Sequence, residues 1–324
     1  MSIVHSVSNL NKGRIVVLGG LGFIGSHLCR ELLSRGCSVR IFDKMYGSHE
    51  LIEDFEGEVE IVKGDVGRPQ DVIHAIADAD KIIYLIHTTV PGSSMDDPAY
   101  DVTSNVVASV KWLQRLPETK VRQIYFISSG GTVYGIPETN PVDENHPTNP
   151  ISSYGITKLA IEKYFAMYST MFGVEFRIVR PSNVYGPGQR LGTGQGVIGT
   201  MTDRALRGQP IEVWGTGETL RDYLYIEDMV SATIAIMTYD GAHRIFNASS
   251  GTGHSVLEIV AILRAHLGFL PEVIQKPGRA FDVPVNVLDS SRLRTSTGWG
   301  PKVDLEMGIA RTIEKLRALP KPVE

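Results

Sequence analysis

The chain has 324 residues, of which 42% are hydrophobic, with 32 Lys and Arg against 36 Asp and Glu. This length predicts two domains or one large one, and the hydrophobic fraction supplies a full core, which excludes a disordered protein. The net charge of −4 disfavours a nucleic-acid binder, because phosphate backbones are bound by basic surfaces. With only two cysteines, a disulfide framework is excluded. We find neither a run of the roughly 18 apolar residues that span a membrane nor an apolar signal segment, so we expect a soluble, cytoplasmic protein.

The first half of the sequence alternates short apolar runs with helical segments. The runs lack a period of two, which is typical of strands covered on both faces. This alternation predicts an α/β fold with right-handed crossovers and a parallel, doubly wound sheet of the Rossmann type. The predicted strands are 14–18, 39–42, 59–62, 81–86, 123–127 and 175–179, and the predicted helices are 23–36, 69–79, 99–116 and 154–172.

The second half is less regular and predicts a smaller α/β lobe. We expect a first domain over residues 12–180 and a second over 181–324, part of which returns to the first. The lobe would cover the carboxyl edge of the sheet, where open α/β folds bind ligands. Its predicted helices are 197–207, 227–239, 255–267 and 305–319, and its predicted strands are 211–214, 244–247 and 272–275.

A glycine-rich turn follows the first predicted strand and opens the first predicted helix. The sequence GGLGFIG places Gly19, Gly22 and Gly25 three residues apart, with Phe23 and Ile24 between the last two. Glycine allows the tight turn and the close approach of a pyrophosphate to the helix N-terminus. The turn therefore predicts a dinucleotide site.

Acidic residues at the ends of the next two strands bear on which dinucleotide binds. Asp43 comes 18 positions after Gly25, where a carboxylate accepts hydrogen bonds from the adenosine ribose and repels a 2′-phosphate. This favours NAD over NADP, although the neighbouring Lys44 could tolerate a phosphate. Asp65, followed by Val66, stands where a carboxylate could meet the adenine amino group, or it is a plain turn residue.

Tyr154 is the only tyrosine followed four residues later by a lysine, Lys158. Residues four apart share a helix face, and this helix follows the stretch SSGGTVYG (residues 128–135) that leaves a buried strand. A phenol is a weak base at neutral pH, but a cation about 5 Å away contributes roughly 3 kcal/mol at an effective dielectric of about 20. Lys158 and an oxidised nicotinamide could thus let Tyr154 accept a proton from a substrate hydroxyl as hydride leaves the carbon.

These motifs resemble those of one family. The chain is similar to the extended short-chain dehydrogenases/reductases of the nucleotide-sugar epimerase/dehydratase group, and most of all to the UDP-hexose 4-epimerases. The resemblance runs from residue 14 to about residue 319. It rests on the combination of GGLGFIG, FDK, KGDV, SSGGTVYG, YGITK, RPSNVYGPGQ and RDYLYIED.

The resemblance implies roles for residues that composition and spacing leave open. It implies that Asn105 holds the active-site backbone in place, and that a UDP-sugar is the substrate. It also implies a homodimer in which helices 99–116 and 154–172 pack against their counterparts. The implied nucleotide-binding residues are Asn183, Gly196, Val197, Arg221, Arg279 and Asp282.

One position departs from the family pattern. The family places a Ser or Thr four residues before the Tyr of its VYG motif, and this chain has Gly130 there. The hydroxyl that bridges the sugar O4 to Tyr154 could come from Ser129 or from Thr132, or it could be absent.

The same stretch favours one reaction over its relatives. The family's 4,6-dehydratases carry an Asp-Glu pair where this chain has Gly131 and Thr132, and its decarboxylases carry a Glu there. Without a carboxyl group as general acid, elimination is disfavoured, which leaves 4-epimerisation through a 4-keto sugar. In the family, a Tyr at one position opposite the sugar blocks a 2-acetamido group and a small residue admits it. Asn286 stands at this position and favours weakly an N-acetylhexosamine, while UDP-glucose/galactose and UDP-glucuronate stay open.

Other interpretations stay open at this stage. They are a 4-keto-sugar reductase or a decarboxylase on the same scaffold, oxidoreduction of a substrate that is not a nucleotide sugar, and a catalytically silent NAD-binding regulator. A metal site is disfavoured, because the nine histidines are scattered.

Overall fold

A seven-stranded parallel sheet forms the centre of the protein in the computed structural model, which describes residues 10, 13–45, 49–192, 196–269, 271–278 and 283–318. The strand order is β10-β6-β5-β4-β1-β2-β3. This confirms the predicted doubly wound α/β fold. The strands are β1 (Arg14–Leu18), β2 (Ser38–Asp43), β3 (Glu60–Lys63), β4 (Lys81–Tyr84), β5 (Gln123–Ile127), β6 (Glu175–Pro181) and β10 (Ile245–Ala248).

Helices flank this sheet, and others pack in the small lobe formed by the second half of the chain. They are α1 (Phe23–Ser34), α2 (Pro69–Ile76), α3 (Ser93–Asp96), α4 (Pro98–Asp101), α5 (Ala108–Leu113), α6 (Gly130–Val133), α7 (Ser153–Phe172), α8 (Val197–Leu206), α9 (Ile226–Thr238), α10 (Val256–Leu267), α11 (Ser291–Thr297) and α12 (Leu305–Ala318).

Alternate residues of the central strand enter opposite layers of the core. Ile15 and Val17 of β1 pack into one buried cluster, and Val16 and Leu18 pack into another. All four side chains are fully buried. A strand enclosed on both faces must be apolar at every position, which explains why the predicted strands showed no period of two.

The second half of the chain adds two small sheets. The larger has the order β11-β9-β13, with β7 also paired to β9, and the smaller joins β8 to β12. The second half also supplies β10, which pairs in parallel with β6 at the edge of the main sheet. The domain boundary at residue 180 stays a prediction. The additional strands are β7 (Asn183–Tyr185), β8 (Ile211–Trp214), β9 (Leu220–Tyr225), β11 (Gly253–His254), β12 (Val273–Lys276) and β13 (Val285–Asn286).

The helix predicted over residues 99–116 is not one regular α-helix. A wide π-helical segment, Val102–Val107, separates α4 from α5. Within it, the Asn105 side-chain amide donates to the Asp101 carbonyl at 3.0 Å. In a regular helix that carbonyl would accept the Asn105 backbone N–H, so the side-chain bond is consistent with the wider turn.

Candidate active site

A pocket of about 640 Å³ lies where the small sheets meet the carboxyl edge of the main sheet. Parallel strands end together there, so residues far apart in the sequence come to one place. Eleven of the predicted site residues line the pocket: Phe23, Ile24, Ser129, Thr132, Tyr154, Lys158, Asn183, Gly196, Val197, Arg221 and Asn286.

The glycine turn between β1 and α1 is shaped for close backbone approach. Gly19 has a φ of +95°, which favours glycine, and a Cβ on Gly25 would collide with the carbonyl oxygen of Gly19. Gly22 starts the helix without a side-chain cap, so α1 begins with backbone N–H groups that no cap satisfies. This arrangement fits the pyrophosphate of a dinucleotide.

The two predicted acidic residues lie beside this turn in different environments. The Asp43 carboxylate accepts from the Leu21 backbone N–H at 3.3 Å, and burial raises its pKa. Asp65 pairs with Lys44 at 2.9 Å, next to the buried Val66. Lys44 is thus already engaged by a carboxylate, which makes it a weaker partner for a 2′-phosphate and agrees with NAD.

Tyr154 and Lys158 project from the first turns of α7 into the pocket. The Ser152 side chain caps this helix by accepting from the Gly155 backbone N–H. Lys158 is buried, its Nζ donates to the Ile127 carbonyl at 2.9 Å, and it lies 5.7 Å from the centre of the Tyr154 ring. The end of β5 therefore anchors the cation beside the phenol.

Burial shifts the pKa values of both Tyr154 and Lys158. Burial lowers the pKa of Lys158 to about 7, although Glu162 and Asp101 act to raise it. Burial raises the pKa of Tyr154 well above its usual range, and the Asp101 charge adds to this. With Lys158 alone beside it the phenol is therefore protonated, and the expected joint effect of Lys158 and an oxidised nicotinamide stays a prediction. A further cation is required.

A buried ion pair lies beneath Lys158. Glu162, one turn farther along α7, binds Arg180 of β6 with Oε2–Nη2 at 2.5 Å, and Ser128 also contacts Glu162. Both charged side chains are almost fully buried. Because a buried charge is costly without its partner, this pair holds the middle of α7 against β6.

Gly130 has no room for a side chain. A Cβ there would collide with Leu288 Cδ1 and lie 3.1 Å from the Arg180 carbonyl oxygen. The hydroxyl that the family pattern places at this position therefore has no space in this chain. Of the two predicted substitutes, Ser129 is partly buried, whereas the Thr132 hydroxyl is buried and has no hydrogen-bond partner among the described residues.

The predicted substrate-binding residues on the lobe side of the pocket come from three strands and a helix start. Asn183 Nδ2 donates to the Asp222 carbonyl at 3.0 Å, and Asn286 Nδ2 donates to the Gly131 carbonyl at 3.4 Å. Asn286 of β13 is the strand partner of Arg221 of β9. Arg279 and Asp282 lie outside the described residues.

Our reading of the sequence missed a histidine in the pocket wall. His87, just beyond β4, is 6% exposed, and its ring centre lies 4.5 Å from that of Tyr154. It contacts Asp101, which is fully buried. The available signal was its place after a buried strand, since site residues follow the carboxyl ends of parallel strands.

Two kinds of feature are absent from the part of the chain that the structure describes. No cluster of three His, Cys, Asp or Glu side chains in that part of the chain could hold a metal ion. Among the helices that the structure describes, none is long and apolar enough to cross a membrane.

Residues 15–249 match the profile of the NAD dependent epimerase/dehydratase family. The chain belongs to this family. Within the family, it is 33% identical over 309 residues to UDP-glucose 4-epimerase from Mycolicibacterium smegmatis, covering 94% of this chain and 98% of that protein. It is 32% identical over 318 residues to dTDP-4-dehydro-6-deoxyglucose reductase from Escherichia coli, with the same coverage.

Solved structures of family members have the same fold. The Thermotoga maritima UDP-glucose 4-epimerase with UDP-glucose superposes with a TM-score of 0.88 at 31% identity, covering 94% of this chain and 98% of that one. The Thermus thermophilus UDP-glucose 4-epimerase in complex with NAD superposes with a TM-score of 0.87 at 30% identity, covering 94% and 99%. NAD is the cofactor of the family, and the glycine turn and Asp43 fit it.

Proposed function

We propose that the protein catalyses NAD-dependent 4-epimerisation of a UDP-hexose through a transient 4-keto sugar. The observation that carries the proposal is the Tyr154–Lys158 pair in a pocket with few carboxyl groups in its wall. Elimination of water would need such a group as a general acid. Glu212 of β8 is the one carboxylate residue among the described residues that line the pocket. It lies within 4 Å of Arg204 and Lys276, in the small lobe.

This chain's own residues would bind and orient the reactants. The first turn of α1 and Asp43 would hold NAD, whose chemistry when bound is the reversible acceptance of a hydride and whose oxidised ring is positive. That charge supplies the further cation that Tyr154 lacks, since opposite charge favours the phenolate. Tyr154 would then accept the proton of the sugar 4-hydroxyl and later return it, and the hydride would return to the opposite face of C4.

Thr132 is the better candidate for the bridging hydroxyl. Its side chain is buried without a partner in the described structure, and such atoms are rare in native proteins unless a ligand or water completes them. Ser129 precedes the short helix α6, and Thr132 lies within it, so both are held beside the start of α7. A hydroxyl side chain at position 130 is excluded, because Leu288 occupies the space it would need.

The choice of sugar depends on Asn286. Its side chain is smaller than a tyrosine and carries an amide that can donate to an acetamido carbonyl. We therefore propose UDP-glucose and UDP-galactose, or their N-acetylhexosamine counterparts, as the substrate pair.

The proposed reaction is tested by product mass. Purified protein and NAD are incubated with UDP-glucose, UDP-N-acetylglucosamine or UDP-glucuronate, and the products are separated by chromatography with mass detection. A new peak of unchanged mass supports epimerisation, and the tube that contains it identifies the sugar. A product lighter by water or carbon dioxide, or one formed only with added NADH or NADPH, contradicts it.

We also propose a homodimer. Apolar side chains are exposed on the segments 98–113 and 153–172, where burial against a second copy would remove them from water. Light scattering coupled to gel filtration should give twice the 35.5 kDa chain mass, whereas Ile156→Glu should shift it toward the monomer. The exposed residues are Tyr100, Val102, Val107, Ile156, Met167 and Met171.

A further inference from the structure

The reaction proposed above gives no role to His87, a buried polar side chain of the pocket. His87 lines the same cavity as Tyr154 and Lys158, and only 6% of its side chain is exposed. Its ring meets the Tyr154 ring edge to face, with an interplanar angle of 70°. A molecule in contact with Tyr154 therefore packs beside His87.

Asp101 decides which ring nitrogen of His87 carries the proton. Burial acts to raise the pKa of Asp101, but hydrogen bonds lower it well below its usual range, so this residue is a carboxylate. His87 Nε2 lies 3.5 Å from Asp101 Oδ1 and 3.5 Å from Thr157 Oγ1. The carboxylate can only accept, and the Thr157 hydroxyl donates to Asp101 or to the Tyr154 carbonyl, so it too accepts from the ring. Nε2 is therefore the protonated nitrogen. The carboxylate is itself fixed by donors from Thr89, Asn105, Ser153 and Thr157.

The other nitrogen, Nδ1, is then an acceptor. Burial, together with the Lys158 charge, lowers the pKa of His87 to about 4, so the ring is neutral and Nδ1 keeps its lone pair. Nδ1 is enclosed in the pocket wall and has no hydrogen-bond partner among the described residues. A buried acceptor without a partner is rare in native proteins and is satisfied when a water or a bound ligand donates to it.

We propose that His87 is a ligand-binding residue whose Nδ1 accepts a hydrogen bond from a hydroxyl or amide N–H of the molecule bound beside Tyr154. Two ligands carry such donors: NAD, and the sugar nucleotide. The binding of the sugar nucleotide rests on the proposed function. A small rotation of the ring would present Nδ1 to the donor, and side-chain adjustments of this size commonly accompany binding.

Nitrogen NMR of histidine labelled in the ring tests this directly. The His87 Nδ1 resonance is assigned by its loss in His87→Phe, and it is followed in protein freed of nucleotide, after NAD, and after NAD with each of the three UDP-sugars. A shift on adding NAD assigns the donor to the cofactor, and a shift only with a UDP-sugar assigns it to the substrate. An Nδ1 resonance that moves in no state overturns the proposal.

Binding constants of matched variants provide the second measurement. His87→Phe keeps a ring against Tyr154 but removes the acceptor, and His74→Phe changes an exposed histidine on α2. The Kd of the molecule that moved the resonance should rise roughly 5- to 100-fold in His87→Phe and stay unchanged in His74→Phe. Unchanged Kd values for NAD and for the UDP-sugars in His87→Phe would contradict the proposal. Wild-type epimerisation, measured on the same preparation, tests the proposed function separately.

Discussion

Leu288 occupies the space that a side chain at Gly130 would need. The Leu288 Cδ1 atom would collide with a Cβ on Gly130, and the bridge between Val142 and Leu288 holds this segment beside the site. The chain has therefore exchanged the family's hydroxyl at this position for an apolar contact. The proposed reaction would then take its bridging hydroxyl from elsewhere in the pocket wall, or proceed by direct contact of Tyr154 with the sugar O4.

Restoring the family residue should damage the protein rather than improve it. We expect Gly130→Ser to lower the free energy of unfolding by about 1–3 kcal/mol, because the new side chain overpacks the site. Urea denaturation measures this. Leu288→Ala opens the same space, so the double variant should be more stable than the sum of the two single changes. Strict additivity would show that the two positions do not compete for space.

Removing the phenolic hydroxyl should abolish turnover without loss of the cofactor. We expect Tyr154→Phe to lower kcat by at least about 10²–10³, the scale of a general acid–base contribution, while the Kd for NAD stays unchanged. Tyr164→Phe, on the same helix but outside the pocket lining, is the matched control. Wild-type turnover in Tyr154→Phe would show that Tyr154 is not the catalytic acid–base residue.

The unpartnered hydroxyl of Thr132 should matter more for activity than for stability. Thr132→Val keeps the shape and removes a buried hydroxyl that makes no hydrogen bond in the described structure, so we expect unchanged or higher stability. We expect kcat to fall about tenfold or more, whereas Ser129→Ala should have the smaller effect. Equal turnover in Thr132→Val and the wild type would transfer the role to Ser129 or to direct contact with Tyr154.

The buried Lys158 should lower the free energy of unfolding, although the proposed reaction uses it. The pKa of Lys158 is about 7 in the folded protein against an ordinary 10.5, so the unfolded chain binds more protons between these values. Its cost to folding is full below pH 7 and declines as the pH rises from about 7 toward 10.5. The Tm gain of Lys158→Met over the wild type should therefore be largest below pH 7. Lys163→Met, an exposed change on the same helix, should show no such dependence.

The regular elements of the first half were predictable, whereas those of the lobe were only partly so. The strand 14–18 matches β1 residue for residue, because the four enclosed residues that follow Arg14 are all apolar. The strands β11 and β13 have two residues each, too few for any period, and exist through their pairing with β9. Such elements depend on tertiary contacts that a local pattern does not contain.

The candidate site divides in the same way. Tyr154 and Lys158 were predictable because one helix spaces them, and the glycine turn because one strand and one helix frame it. The pairing of His87 with Asp101 joins a loop to a different helix, and the exclusion at Gly130 depends on a leucine far along the chain. Neither relationship has a local pattern in the sequence.

The most direct test of the central claim follows the hydrogen at C4. UDP-glucose carrying deuterium at C4, or the UDP-sugar that the product assay identifies, is incubated with the protein and NAD until both epimers are present. Hydride return within one site predicts that the epimer keeps the deuterium at C4 and has the same mass as the starting sugar. An epimer that has exchanged its C4 deuterium for solvent hydrogen, or no epimer from any UDP-sugar, would contradict the account.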